Sequence, residues 1–281
     1  MEIIDIHTHL GAIRSSGRGL RGWVHVSVDD LLDYMDACGI SIAVVLPIQK
    51  VKGIGEDLWL TEDVLRACRS HPDRLIPFCV VDPLAGDAGK KVEAYAKAGC
   101  RGFGEHRVPL PVSHPANLAL YSVCQDLGMP LLIEIGDLYN FDFDAFVEVT
   151  SRFPKLTFIA HGPGWWREIS AVSDKTRQYP SGPVVRGGGV EKALSERRNL
   201  FADISATSGY NALSRDTLFS KEFVERFSNR LMFGTDFPGI DLNGLQDGPN
   251  MRHISLLREL GVSDRSMEKI LSGNASSILG I

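Results

Sequence analysis

The chain has 281 residues, 44% of them apolar, and a formal net charge of -5 with the two signs interspersed, a length that barrels of alternating strands and helices use as a single domain, here residues 1–281. That charge gives no reason to expect nucleic acid or a membrane surface as partner, no apolar run nears the roughly 18 residues that span a bilayer, and Met1 to His9 lacks a basic start or cleavage site, so a cytoplasmic location is expected. Five cysteines, Cys38, Cys68, Cys79, Cys100 and Cys124, have no paired spacing and read as small core hydrophobes in a reducing compartment.

The first predicted element is the strand Ile3 to Leu10. It carries His7 and His9, and on an extended strand this spacing turns both imidazoles to one face with Asp5 a pleat below. A glycine- and arginine-rich loop, Gly11 to Gly22, follows. Ser27 then caps a helix closed by Gly39, and Ile42 to Leu46 is an apolar, β-branched run of the kind a parallel sheet buries on both faces. The unit repeats. Helices near Thr61–Ser70, Gly86–Ala98, Ala116–Leu127 and Phe143–Arg152 precede strands Leu75–Val81, Gly102–Val108, Leu131–Ile135 and Leu156–Ala160. After a long loop, helices near Val190–Ser195 and Lys221–Ser228 precede strands Leu200–Ile204 and Leu231–Gly234. Right-handed crossovers would close these units into an α/β fold, a (β/α)8 TIM barrel whose reactive end lies just beyond the strands' carboxyl ends.

That expectation places chemistry-bearing side chains together. His7 and His9 end strand one, Glu105 strand four, Glu134 strand five, His161 strand six, Asp203 strand seven and Asp236 strand eight. Unpaired charges buried there would be costly, and a metal ion offsets that cost. His7, His9, Glu105, Glu134, His161 and Asp236 are therefore the candidate ligands, with Asp236 also a candidate general base. Asp203 is expected to touch substrate or a ligating histidine. His106, next to Glu105, should point the other way and be structural, and His25, His71, His114 and His253 read as surface or capping residues. Arg14, Arg18, Arg21, Lys50, Lys52 and Arg107 put positive charge in the loops, where it could hold a substrate anion. Trp165-Trp166 and the glycine-rich Gly182 to Gly189 suggest an aromatic wall and a mobile lid.

Asp5-Ile6-His7-Thr8-His9, Ala160-His161-Gly162-Pro163-Gly164, Gly234-Thr235-Asp236 and Leu271-Ser272-Gly273-Asn274-Ala275 together resemble the amidohydrolase superfamily, in particular its amidohydrolase-related (type 2) branch. The resemblance implies a barrel enzyme that uses zinc or manganese to hydrolyse amides, esters or lactones, or in some members removes a carboxylate without oxidation. It implies that His7, His9 and Asp236 hold the principal metal, and that His161 ligates a second ion or acts on substrate or water. Glu134 stands where the branch usually has histidine, which shifts preference toward manganese or magnesium relative to zinc. Glu105 resembles the bridging glutamate of metal-dependent deoxyribonuclease-like relatives, so one or two ions are expected, zinc first. The leading expectation is a hydrolase of a small anionic compound. A decarboxylase of a carboxylated ring and a metal-free ligand-binding barrel are the alternatives, and a homo-oligomer is left open.

Overall fold

A computed structural model describes residues 1–14, 23–49, 57–238 and 252–281. Eight parallel strands run in sequence order around a nearly closed barrel, with helices between them: β1 (Ile4–Thr8), β2 (Ile42–Val45), β3 (Leu75–Cys79), β4 (Gly102–His106), β5 (Leu131–Glu134), β6 (Phe158–His161), β7 (Leu200–Asp203) and β8 (Leu231–Met232). This is the TIM-barrel fold expected from the sequence. The seam between β8 and β1 is joined by Ile6 N–H to Phe233 O (3.1 Å), Asp236 N–H to His7 O (2.8 Å) and His9 N–H to Phe237 O (2.7 Å).

Two apolar layers hold the barrel. Inside it, Ile4, Ile6, Val44, Leu46, Ile76, Phe78, Leu132, Ile159 and Met232 pack on one another and on Ala275 and Leu279 of the last helix, Asn274–Leu279. Phe78 takes the space opposite Gly102, where an added Cβ would lie 2.2 Å from its ring. Outside, Phe103, Leu131, Ile133, Phe158, Leu200 and Phe233 pack against helix residues such as Leu31, Val64, Val92 and Leu120. The polar mouth thus stands on an apolar floor.

Helix boundaries follow local chemistry. Ser27 closes a capping box with Asp30, and Gly39 at φ 68° ends the helix Val28–Cys38. The loop expected at Gly11–Gly22 is in part a strand: Gly11–Arg14 pairs antiparallel with Trp23–Val26 and Asp57–Leu58. The helix expected at Lys221 starts at Thr217, because the Asp216 carboxylate accepts from Phe219 N–H. An additional helix, Ala206–Ser214, follows β7. The Gly182–Gly189 segment, expected as a mobile lid, is anchored at three backbone groups. Val184 and Val185 N–H donate to Asp216 and Ser170, Gly187 N–H donates to Glu191, and Val184 is buried. All five cysteines are free and buried, as core residues would be. No helix among the described residues is long and apolar enough to cross a membrane.

His253 departs from its expected surface place. It is fully buried on the helix Arg252–Glu259, with Nε2 3.1 Å from Ala206 O, and burial together with the charge of Arg252 lowers its pKa to about 4. Its folded pKa lies below the unfolded value, so its effect is absent at neutral pH. As pH falls from about 6.5 towards 4 the unfolded chain takes up the proton first, and stability is lost. His253→Gln should therefore lose about 2 kcal/mol less stability than the wild type between pH 7.5 and pH 4.5 in urea melts. Equal losses in the two proteins would contradict this assignment.

Candidate active site

His7 and His9 reach the mouth from β1, but not through simple alternation. The β1–β2 register shifts between Asp5 and Thr8, which breaks the pleat expected to put Asp5 beneath the imidazoles. The Asp5 carboxylate instead accepts from His7 N–H (3.0 Å), Thr235 N–H (3.0 Å) and the Thr235 hydroxyl (2.6 Å). A second irregularity, in the β4–β5 register between Phe103 and His106, separates Glu105 from its neighbour. Glu105 faces His7 and His9, whereas His106 turns to Asn117 Oδ1 (3.1 Å) and stays structural, its pKa lowered to about 4 by burial.

The two histidines have fixed tautomers. His9 Nδ1 lies 2.8 Å from Leu46 O, a carbonyl that can only accept, and His7 Nδ1 lies 2.6 Å from Asp203 Oδ2. Each Nδ1 carries the hydrogen, so each neutral ring presents an Nε2 lone pair. Those two Nε2 atoms are 3.0 Å apart. Glu105 Oε2 lies 3.8 and 3.7 Å from them, and Asp236 Oδ1 lies 3.5 and 3.3 Å from them. Both carboxylate oxygens therefore lie within 3.8 Å of the paired nitrogens, and His7, His9 and Glu105 together could hold a metal ion. Ligands on tetrahedral bonds of 2.0–2.1 Å would stand roughly 3.3 Å apart, so the observed edges fit a zinc-sized cation. Two nitrogen and two oxygen donors also suit manganese. Electrostatics agree: burial works against a charged His9, yet the hydrogen bond and charge of Asp236 and the charge of Glu105 raise its pKa.

Asp203 organises the histidines from below. It is wholly buried, so the expected substrate contact is replaced by the ligand-orienting role. Its Oδ2 meets His7 Nδ1, His161 Nδ1 (3.1 Å) and the Ser205 hydroxyl (2.7 Å), while Oδ1 accepts from Ser205 N–H (2.7 Å). Burial opposes its charge, but His7 and His161 hold its pKa far below the usual range. His161 also has Ser205 Oγ at 3.1 Å, and although burial disfavours its charge, Asp203 lifts its pKa to about 9. Gly234 is required here, because an added Cβ would lie 2.8 Å from Asp203 Oδ1 and 2.9 Å from His7 Cβ.

Asp236 sits at φ 63°, in left-handed space that favours glycine, and its side chain keeps 32% exposure at the mouth. Burial pushes its pKa up, but the His9 hydrogen bond and the charges of His7, His9 and His161 prevail and hold it at about 2.

Other expected site residues lie elsewhere. Glu134 Oε2 is 2.6 Å from Arg107 Nε, and Arg107 stacks over Tyr139 at 4.5 Å. Glu134 does not join the converging donors, because a nearby guanidinium holds it; burial still lifts its pKa to about 7 against the pull of Arg107. Arg107 is thereby engaged by a carboxylate of its own chain. Trp165 is fully buried among Phe143, Phe146 and Trp166, so it forms core and no wall of the mouth. The Trp166 indole N–H donates to Asp203 O (2.9 Å). Arg18, Arg21, Lys50, Lys52 and the side chain of Arg14 lie outside the described residues.

Ser205, Thr235 and Tyr179 were not foreseen. Ser205 had a local signal, an aspartate two residues earlier that can accept its N–H. Tyr179 had none: burial raises its pKa, with Asp236 and Glu134 adding to the rise, which puts the loop after β6 beside the mouth.

If Asp203 fixes the His7 tautomer, Asp203→Ala should weaken zinc binding roughly 10- to 100-fold in calorimetric titrations while the barrel stays folded. Unchanged affinity would contradict that role.

Comparison with known proteins follows the same lines. A model of the amidohydrolase family (Amidohydro_2) matches residues 4–281. No curated protein sequence matches significantly. Among solved structures, an amidohydrolase from Burkholderia multivorans with bound zinc is 14% identical with a TM-score of 0.66, covering 100% of both chains. A probable 2-pyrone-4,6-dicarboxylic acid hydrolase from Acinetobacter baumannii with citric acid bound is 14% identical with a TM-score of 0.61, also covering 100% of both. 2,6-Dihydroxybenzoate decarboxylase from Rhizobium is 13% identical with a TM-score of 0.60, covering 100% of this chain and 99% of that one. At such identities the likeness is one of fold, and the family-wide match is what assigns membership: this chain belongs to the amidohydrolase family.

Proposed function

We propose that this protein is a divalent-cation-dependent hydrolase of an amide, ester or lactone bond in a small anionic compound. The observation that carries the reading is that Glu105 Oε2 and Asp236 Oδ1 each lie within 3.8 Å of both His7 Nε2 and His9 Nε2, while each ring commits its Nδ1 to another acceptor. Those residues would hold the cation, zinc first and manganese next. Bound there, it would supply Lewis-acid polarisation and lower the pKa of water towards neutrality.

The chain's own residues supply the proton transfers. Asp236, kept ionised and open to the mouth, takes a proton from the attacking water and returns it to the leaving group. His161, held protonated by Asp203, donates to the oxygen on which negative charge develops. Arg107, though paired with Glu134, is the cation that β4 brings nearest the mouth, and it would face an anionic group of the substrate. The solved neighbours named for a pyrone dicarboxylic acid and a dihydroxybenzoate are consistent with an anionic substrate.

A decarboxylase is the second reading. The feature favouring it is His161 at the end of β6, whose pKa Asp203 raises, since a carbon that loses CO₂ needs a proton from a nearby acid.

Lactones, esters and amides with and without a carboxylate, together with carboxylated rings, would be assayed for acid release and for CO₂. The expected outcome is hydrolysis of a carboxylated member, falling by roughly 10²- to 10⁴-fold in Asp236→Asn with the circular dichroism spectrum unchanged. CO₂ release without hydrolysis would support the second reading, and an unaltered rate in Asp236→Asn would remove the role given to that residue.

A further inference from the structure

The cation site draws two of its four donors from β1 and one from a segment beyond β8, more than two hundred residues later. The sheet ladder alone does not set their distance. β8 ends at Met232, and Asp236 stands four residues past it with left-handed backbone. Between the seam bonds already described, the N–H groups of His7 and Thr235 both go to a single side-chain oxygen, Asp5 Oδ1, at 3.0 Å each. Asp5 Oδ2 accepts from the Thr235 hydroxyl at 2.6 Å, and that hydroxyl oxygen accepts from Phe237 N–H at 3.0 Å. Phe237 is in turn stacked on Tyr34, with ring centroids 4.3 Å apart.

Asp236 is thus held from both sides. Thr235 before it and Phe237 after it are tied to Asp5, and its own N–H is tied to His7 O. Asp5, His7, Thr235 and Phe237 are all buried, so the bonds among them exclude water as a substitute partner. Asp5 itself touches none of the converging donor atoms.

We propose that Asp5 and Thr235 are positioning residues for the cation site: through the Asp5 carboxylate they set the reach of Asp236 to His7 and His9. The inference rests on the cation-binding reading above. A purely structural role would lower stability without altering how the site holds a cation. A positioning role would change affinity and coordination geometry in a protein that remains folded.

Thr235→Val keeps the shape of the side chain but leaves Asp5 Oδ2 and Phe237 N–H without their partner, whereas Thr235→Ser keeps the hydroxyl. Zinc affinity would be measured by chelator competition, and coordination by the visible spectrum of the cobalt(II)-loaded protein, well below each variant's melting temperature. The expected result is zinc binding weakened roughly 10- to 100-fold in Thr235→Val, with altered cobalt bands and near-complete restoration in Thr235→Ser. Asp5→Asn, which keeps one acceptor oxygen, should weaken binding in the same direction and serves if Thr235→Val does not fold. Wild-type affinity and an unchanged cobalt spectrum in Thr235→Val or Asp5→Asn would overturn the positioning role and leave the cation site standing. A wild-type protein that binds neither zinc nor cobalt would overturn both.

Discussion

Two imidazole Nε2 atoms held 3.0 Å apart, with a carboxylate oxygen of Glu105 and one of Asp236 within 3.8 Å, form an arrangement that positive charge stabilises. Both histidines have committed their other nitrogen, one to a carbonyl and one to a carboxylate, so neither ring can turn its N–H inward without losing a buried hydrogen bond. The site is electron-rich by construction. Glu105 on β4 and Asp236 beyond β8 complete it, so β1, β4 and the segment after β8 together set one small volume.

The fold serves that volume in two ways. The apolar interior of Ile6, Leu46, Phe78, Leu132 and Met232 fills the barrel below the mouth, which gives the polar groups a firm base and keeps their environment poorly solvated. Above that base, Asp203 gives one carboxylate oxygen to His7 and to His161 together, linking the histidine of β1 with that of β6. The compactness depends on absent side chains as well. Gly234 leaves the space that Asp203 and His7 occupy, and Gly162, at φ 96°, leaves room for Glu134, whose Cγ would lie 2.7 Å from an added Cβ.

Much of this was legible in the sequence. β-branched apolar runs punctuated by glycine marked the strands, and His7, His9, Glu105, His161 and Asp236 stood at their ends, where a barrel gathers its chemistry. What was not legible depended on non-local partners or on broken periodicity. The register shifts in β1 and β4 redirect Asp5 and Glu105, and no residue pattern announces them. Glu134 looked like a ligand because its strand end was visible, while its partner Arg107 lay 27 positions earlier, just past the end of another strand. Trp165 could serve a mouth or a core equally well by composition, and only the neighbouring Phe143 and Phe146 decided for the core. His253 was the avoidable miss: with Leu256 and Leu257 three and four residues on, it falls on the buried stripe of its helix.

The central claim is that a divalent cation belongs at the point shared by His7, His9, Glu105 and Asp236. Anomalous diffraction at a metal absorption edge, on crystals of protein purified without chelators, tests it most directly. The account predicts a single strong peak bounded by those four side chains. A peak among other residues, or none under zinc and manganese supplementation, would contradict it.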